Sequence, residues 1–199
     1  MKRIVTLMML LLLLVAGQTH AQSKRQLAKE KREAIEKKRK LKREQEEKAQ
    51  EVQDSLNFVA ALEAMNQREF TLEANQLMFP NGQPAYVNSN TNFISVHGNN
   101  AVVQIASNSG FSGPNGLGGV TVNGNITGYE LQRDDEGNIQ LNLDVMGAGI
   151  SATVFISLPY GTNQASANIN PNFNSNTLTM NGNIVPNSQS NVFQGTSLF

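Results

Sequence analysis

The sequence predicts a mainly β chain: an antiparallel β-sandwich or small β-barrel of about eight strands, preceded by a long charged α-helix. Three observations predict it. Behind residue 70, apolar side chains recur at every second position, the spacing that gives a strand one buried face. No segment of helical period separates those runs, so parallel crossovers are excluded. Residues 23–51 are rich in Lys, Arg, Glu, Gln and Ala and contain neither Gly nor Pro, a composition that favours helix.

The chain opens on Met1, Lys2 and Arg3, followed by an apolar run over residues 4–16. That run has the length of a signal-peptide core and is shorter than a membrane span, which takes roughly 18 residues or more. Thr19 and Ala21 supply the small residues of a cleavage site, so cutting is expected after Ala21. The predicted parts are then a signal peptide (1–21), a charged helical segment (22–50) and a β-domain with a docked helix end (51–199). The expected location is periplasmic or secreted, with no stable membrane span after cleavage. The chain has no cysteine, so it has neither a disulfide framework nor a lipid-attachment cysteine.

Charge divides the same way. Residues 24–54 hold twelve Lys or Arg against eight Asp or Glu, a balance of +4; residues 70–199 hold Arg133 against six acids, a balance of −5. The formal total of zero conceals two chemically different segments. In the helix, Glu33 with Lys37, Glu36 with Lys40 and Glu44 with Lys48 stand four apart in the favourable order. Acids interspersed among the bases, and no aromatic between them, argue against nucleic acid. From Val52 the pattern changes: Val52, Leu56 and Val59, and one face over Phe58, Leu62 and Met65, follow helical spacing and are expected to dock on the β-domain.

The strands follow in order. Phe70, Leu72 and Ala74 alternate, and Phe79-Pro80-Asn81-Gly82-Gln83-Pro84 reads as a turn. Ile94 and Val96, then Ala101, Val103 and Ile105, flank a turn at Gly98-Asn99-Asn100. Val120, Val122 and Ile126 are even-numbered whereas Tyr129 and Leu131 are odd, so a β-bulge is expected near Gly128. Residues 139–158 form the clearest hairpin: Ile139, Leu141, Leu143 and Val145, a glycine-rich reversal, then Ala152, Val154, Ile156 and Leu158. One hairpin with a single apolar face is not stable alone and needs more sheet. Ala165, Ala167 and Ile169 form a further strand, and Leu178, Met180 and Ile184 another. The tail residues Val192, Phe193, Leu198 and Phe199 are expected to pack. Gly-Asn-Ile recurs at 124, 137 and 182 and reads as one turn used three times.

Catalytic chemistry finds little to work with. Once the signal is removed His97 is the one histidine, and beside a Gly-Asn-Asn turn it reads as a surface residue. Asp134, Asp135 and Glu136 lack the alternating ligand spacing of a calcium loop. The loop from Gly113 to Gly119 lacks the Lys-Ser/Thr ending of a phosphate cradle and leads into a strand. No catalytic, cofactor or metal residue is assigned. The candidate contact loops are Tyr86, Asn88, Asn90 and Asn92 together with Ser112, Gly113, Pro114, Asn115 and Gly116, polar positions beyond what a hairpin needs.

Three ordered segments carry a resemblance. They are 85–93 (Ala-Tyr-Val-Asn-Ser-Asn-Thr-Asn-Phe), 112–122 (Ser-Gly-Pro-Asn-Gly-Leu-Gly-Gly-Val-Thr-Val) and 170–176 (Asn-Pro-Asn-Phe-Asn-Ser-Asn). Behind a signal peptide and a Lys/Glu-rich helix, they make the chain resemble an exported domain-of-unknown-function family of gut Gram-negative anaerobes, domain of unknown function 4251, over residues 55–199. The resemblance implies a periplasmic or surface β-rich protein and brings no catalytic residues. The expected function is an exported, non-enzymatic envelope protein that binds an envelope partner or a small ligand. The alternative is a lipocalin-like carrier of a small apolar ligand in a barrel mouth. A hydrolase built on His97 and scattered acids is the least favoured reading.

Overall fold

The computed structural model describes residues 2–106, 119–147, 150–171 and 177–196, with side chains from Lys29 onward except that of Ile150. A helix, α1 (Lys2–Gln67), leads into nine strands: β1 (Glu69–Met78), β2 (Pro84–Tyr86), β3 (Phe93–His97), β4 (Asn100–Ile105), β5 (Val120–Arg133), β6 (Ile139–Gly147), β7 (Ile150–Leu158), β8 (Gln164–Pro171) and β9 (Leu178–Pro186). Two compact units emerge, residues 1–50 and 51–199.

In the first unit the described side chains, residues 29–50, are all exposed. Among these described side chains the ion pairs formed are Lys29–Glu33 and Lys42–Glu46, at 3.8 and 3.4 Å. Both run Lys to Glu, whereas the expected Glu-to-Lys pairs are not made. Such exposed pairs add only a few tenths of a kcal/mol each.

The second unit is an antiparallel barrel. Strands β3 to β9 pair in sequence, each with the next, and β1 closes the ring by pairing with both β3 and β9. Eight strands make the wall; β2 extends it by pairing with the far end of β1. Of the two fold classes that the alternation allowed, the barrel is the one adopted. Closure removes the exposed edges that an open sheet would leave.

Two bulges set which side chains face inward. On β5 the register slips between Ile126 and Gly128 opposite β6, so even residues point inward before it and odd ones after it, as expected. On β1 it slips between Ala74 and Gln76 opposite β9, which turns Leu77 inward after Phe70, Leu72 and Ala74. Next to this bulge stands Gly182, where a Cβ would lie 2.0 Å from the Glu73 carbonyl oxygen. Only glycine lets β9 approach β1 closely enough to close the ring. The recurrent Gly-Asn-Ile is therefore not one turn used three times: Gly124 and Gly182 lie within strands, and only Gly137, at φ +89°, makes a turn.

One end of the barrel is plugged by the last turns of α1. Phe58, Ala61, Ala64 and Met65 are buried in the same apolar core as the strands. Val52, Leu56 and Val59, expected to dock, are instead 62%, 59% and 57% exposed. At 100° per residue the two stripes lie on different faces, and the barrel takes the one carrying Phe58 and Met65. The Phe58 ring meets Tyr160 edge-on, with centroids 5.1 Å apart. The helix stops at Arg68, whose left-handed φ of 58° turns the chain into β1 while its N–H donates to the Met65 carbonyl. The Tyr129 hydroxyl donates to that same carbonyl, and the Arg68 guanidinium lies 4.5 Å over the Tyr129 ring. Burial pushes the Tyr129 pKa up to about 12, against a lowering by Arg68.

The segment after β9 is a strap across the outside of β1, β3 and β4. Gln104 is its anchor: Nε2 donates to the carbonyls of Thr91 and Phe193, and Oε1 accepts from Thr121 Oγ1 and the Gly195 N–H. The Glu73 carboxylate accepts from Ser190 Oγ at 2.7 Å. Backbone and polar atoms hold the strap, so Val192 is only half-buried and Phe193 is exposed, contrary to the expected apolar packing. Leu198 and Phe199 lie outside the described residues.

Candidate binding cavity at the barrel mouth

The interior is not filled evenly. Towards the helix-plugged end it is packed with large side chains: Phe70, Leu72, Leu141, Leu143 and Leu158, all with almost no exposure, together with Met65 from α1. At the opposite end Leu77 and Met180 fill the side formed by β1 and β9, while on the β4 to β8 side the inward positions fall to Val103, Ile105, Val120, Val122, Val145, Ala152, Ile169 and Pro171. These side chains are too short to meet across the barrel, and they leave a hollow of about 220 Å³. Among the described residues that line it none is ionisable or carries a polar side chain, and such a wall favours an apolar guest over water. A cavity of about 150 Å³ holds benzene, so this one is sized for roughly eight to ten non-hydrogen atoms, more if the guest protrudes. A second hollow, on the outer face of β4 to β6, is lined by Asn100, Asn123, Asn125 and Gln194 and is open to solvent.

The strands place the mouth. The β1–β3, β4–β5, β6–β7 and β8–β9 connections all leave from this end; the helix, the β3–β4 turn, the β5–β6 turn and the β7–β8 turn occupy the other. The described parts of the three segments, residues 85–93, 119–122 and 170–171, far apart in sequence, therefore lie at one end of the barrel.

The predicted contact residues divide. Tyr86 is 82% exposed. Asn88 is exposed, but its Oδ1 accepts the Asn90 N–H and its carbonyl accepts from Thr91 and Asn92, a local turn. The Asn90 carbonyl takes the Phe193 N–H of the strap. Asn92 is 1% exposed: its Nδ2 donates to the Asn88 carbonyl and its Oδ1 accepts the Ala106 N–H. Asn92 is thus part of the scaffold and offers no contact surface. Ser112, Gly113, Pro114, Asn115 and Gly116 lie outside the described residues.

The ionisable candidates sit away from the cavity. His97, at the plugged end, pairs through Nδ1 with Glu69 Oε2 across the β1–β3 ladder and is largely exposed. Asp134 organises the β5–β6 turn: Oδ1 accepts the Glu136 and Asn138 N–H groups and Oδ2 accepts Asn138 Nδ2. The Asn138 side chain, helped by those backbone donors, holds its carboxyl below the usual range. Among the described residues no three His, Asp or Glu side chains gather in a metal-binding group.

Sequence reasoning missed the lining as a set. Every lining residue except Pro171 falls on the apolar face of a predicted strand, but the fall to shorter side chains on the β4 to β8 side of one end shows only once the register stacks the strands.

The comparisons agree with this architecture. A family model described as "Domain of unknown function (DUF4251)" matches residues 52–184. The crystal structure of a DUF4251 family protein from Bacteroides eggerthii DSM 20697 is similar, with 46% identity and a TM-score of 0.63, over 72% of this chain and 96% of that one. No curated protein matches. Among the described residues no helix is long and apolar enough to cross a membrane.

Proposed function

The chain belongs to the DUF4251 family, and on that premise we propose that it is an exported, non-enzymatic binding protein that carries a small apolar ligand in the mouth of its barrel. The observation that carries this reading is the hollow of about 220 Å³ walled by Val103, Ile105, Val120, Val122, Val145, Ala152, Ile169 and Pro171. The described lining residues carry no side-chain donor or acceptor and bind by shape and apolar contact. Each methylene moved into it from water contributes about 0.8 kcal/mol. Export rests on the basic start, the short apolar run and the small residues at Thr19 and Ala21. The case against catalysis rests on His97 and the acidic turn lying at the plugged end, away from the cavity. Native mass spectrometry of protein purified from its own host tests the reading. A copurified apolar molecule, released on denaturation, is expected. Protein that is uniformly empty and takes up no apolar fluorescent probe would overturn it.

A further inference from the structure

The helix α1 carries two segments of opposite charge. Residues 29–43 hold nine Lys or Arg against Glu30, Glu33 and Glu36, a balance of +6; residues 44–63 hold Lys48 against six acids, a balance of −5. Little of this charge is neutralised within the chain. Of the nine bases only Lys29 and Lys42 form an ion pair among the described residues. Each segment also exposes a short aliphatic stripe. In the basic segment Ala34 and Leu41 are exposed and, standing seven apart, share a face. In the acidic segment Val52, Leu56 and Val59 share a face and stay outside the barrel core, each more than half exposed. Large aliphatic side chains exposed side by side form a surface that association would bury.

We propose that two copies of this chain pair through antiparallel α1 helices, the basic segment of each lying along the acidic segment of the other. That arrangement sets +6 against −5 twice, and it brings the Ala34 and Leu41 stripe of one copy onto the Val52, Leu56 and Val59 stripe of the second. A parallel pair would set like charge on like along its whole length, so the charge pattern selects the direction. A polyanion would suit the basic segment and be repelled by the acidic one; a second copy suits both at once. Exposed ion pairs add little singly, so the charges fix direction while the aliphatic stripes supply cohesion. The pairing does not depend on what the cavity holds.

Sedimentation of the protein purified from its own host tests this. The mass should approach two chains at low salt and return to one chain at about 1 M salt, where charges are screened within about 3 Å. Leu56→Gln, an exposed position that leaves the barrel core untouched, should raise the concentration of half-dissociation by about tenfold or more, roughly 1.4 kcal/mol. The chain has no cysteine, so single cysteines report the direction. Under oxidation a mixture of Ala34→Cys and Val59→Cys should join the two variants to each other. Ala34→Cys alone should stay uncoupled, because in the antiparallel pair its two copies stand roughly 37 Å apart, twenty-five residues at about 1.5 Å each. Single chains at every concentration would overturn the proposal. So would a pair that withstands both salt and Leu56→Gln, or Ala34→Cys coupling to itself, which would make the helices parallel.

Discussion

The plugged end and the mouth are built from the same strands, yet one is solid while the other holds a hollow. At the plugged end, helix, strands and turns converge on one carbonyl: Met65 takes hydrogen bonds from the Arg68 N–H and the Tyr129 hydroxyl, beneath a guanidinium stacked on the Tyr129 ring. At the mouth the β4 to β8 wall ends in valines, isoleucines, an alanine and a proline that leave a hollow between them. Stability is therefore concentrated at the plugged end, and the other end is left free to take a guest. The same sheet can do both because closure, not core volume, holds the wall together at the mouth.

That contrast orders the effects of substitution. Gly182→Val should be the most damaging, because its side chain would begin 2.0 Å from a backbone carbonyl oxygen that cannot yield without opening the β1–β9 seam. A loss of about 4 kcal/mol or more, or failure to fold, is expected in urea titrations. Leu143→Ala in the packed half should cost about 2–5 kcal/mol, whereas Val122→Ala beside an existing hollow should cost roughly 1 kcal/mol or less. Equal costs would erase the distinction between the ends. Ala152→Leu should be nearly neutral for stability, within about 1 kcal/mol, because it grows into space already empty; it should also abolish uptake of an apolar probe. Tyr129→Phe should cost about 1 kcal/mol.

Tyr129 gives the pH arm of the comparison. Its pKa is raised from 10.0 to about 12, and the fold prefers the neutral hydroxyl. The stabilisation is therefore complete below pH 10 and is lost as pH rises towards 12. Phenolate absorbance should follow this titration, and Tyr129→Phe should remove the matching part of the alkaline destabilisation. The acid side is smaller and local. The carboxyl of Asp134 titrates below the usual range, so the β5–β6 turn should hold at mildly acidic pH and loosen only when the pH falls through that lowered value. Carboxyl chemical shifts would report it, and an ordinary midpoint for Asp134 would contradict the hydrogen bonding described.

The barrel wall was legible because period-two burial leaves a direct mark on sequence. Leu141, Leu143, Val154 and Ile156 face inward as their spacing requires, and the parity change from Ile126 to Tyr129 marks the bulge. Less was legible where contacts join distant segments. Nothing beside Gln104 announces that it holds a strap ninety residues away, since an outward polar residue on a strand is ordinary. Asn92 looks like a loop amide until Ala106 is found on its oxygen. Choosing between the two helical stripes needed the barrel itself, because both Val52-Leu56-Val59 and Phe58-Leu62-Met65 have the spacing of a buried face. The cavity was least visible, as it depends on side-chain size compared across strands, which no single strand records.

Methyl chemical shifts under xenon or a small apolar probe test the central claim most directly. The methyls of Val103, Ile105, Val122, Val145 and Ile169 should move together while those of Leu141, Leu143 and Ile156 stay still. Shifts spread evenly along the barrel, or none at all, would mean that the mouth is as solid as the plugged end.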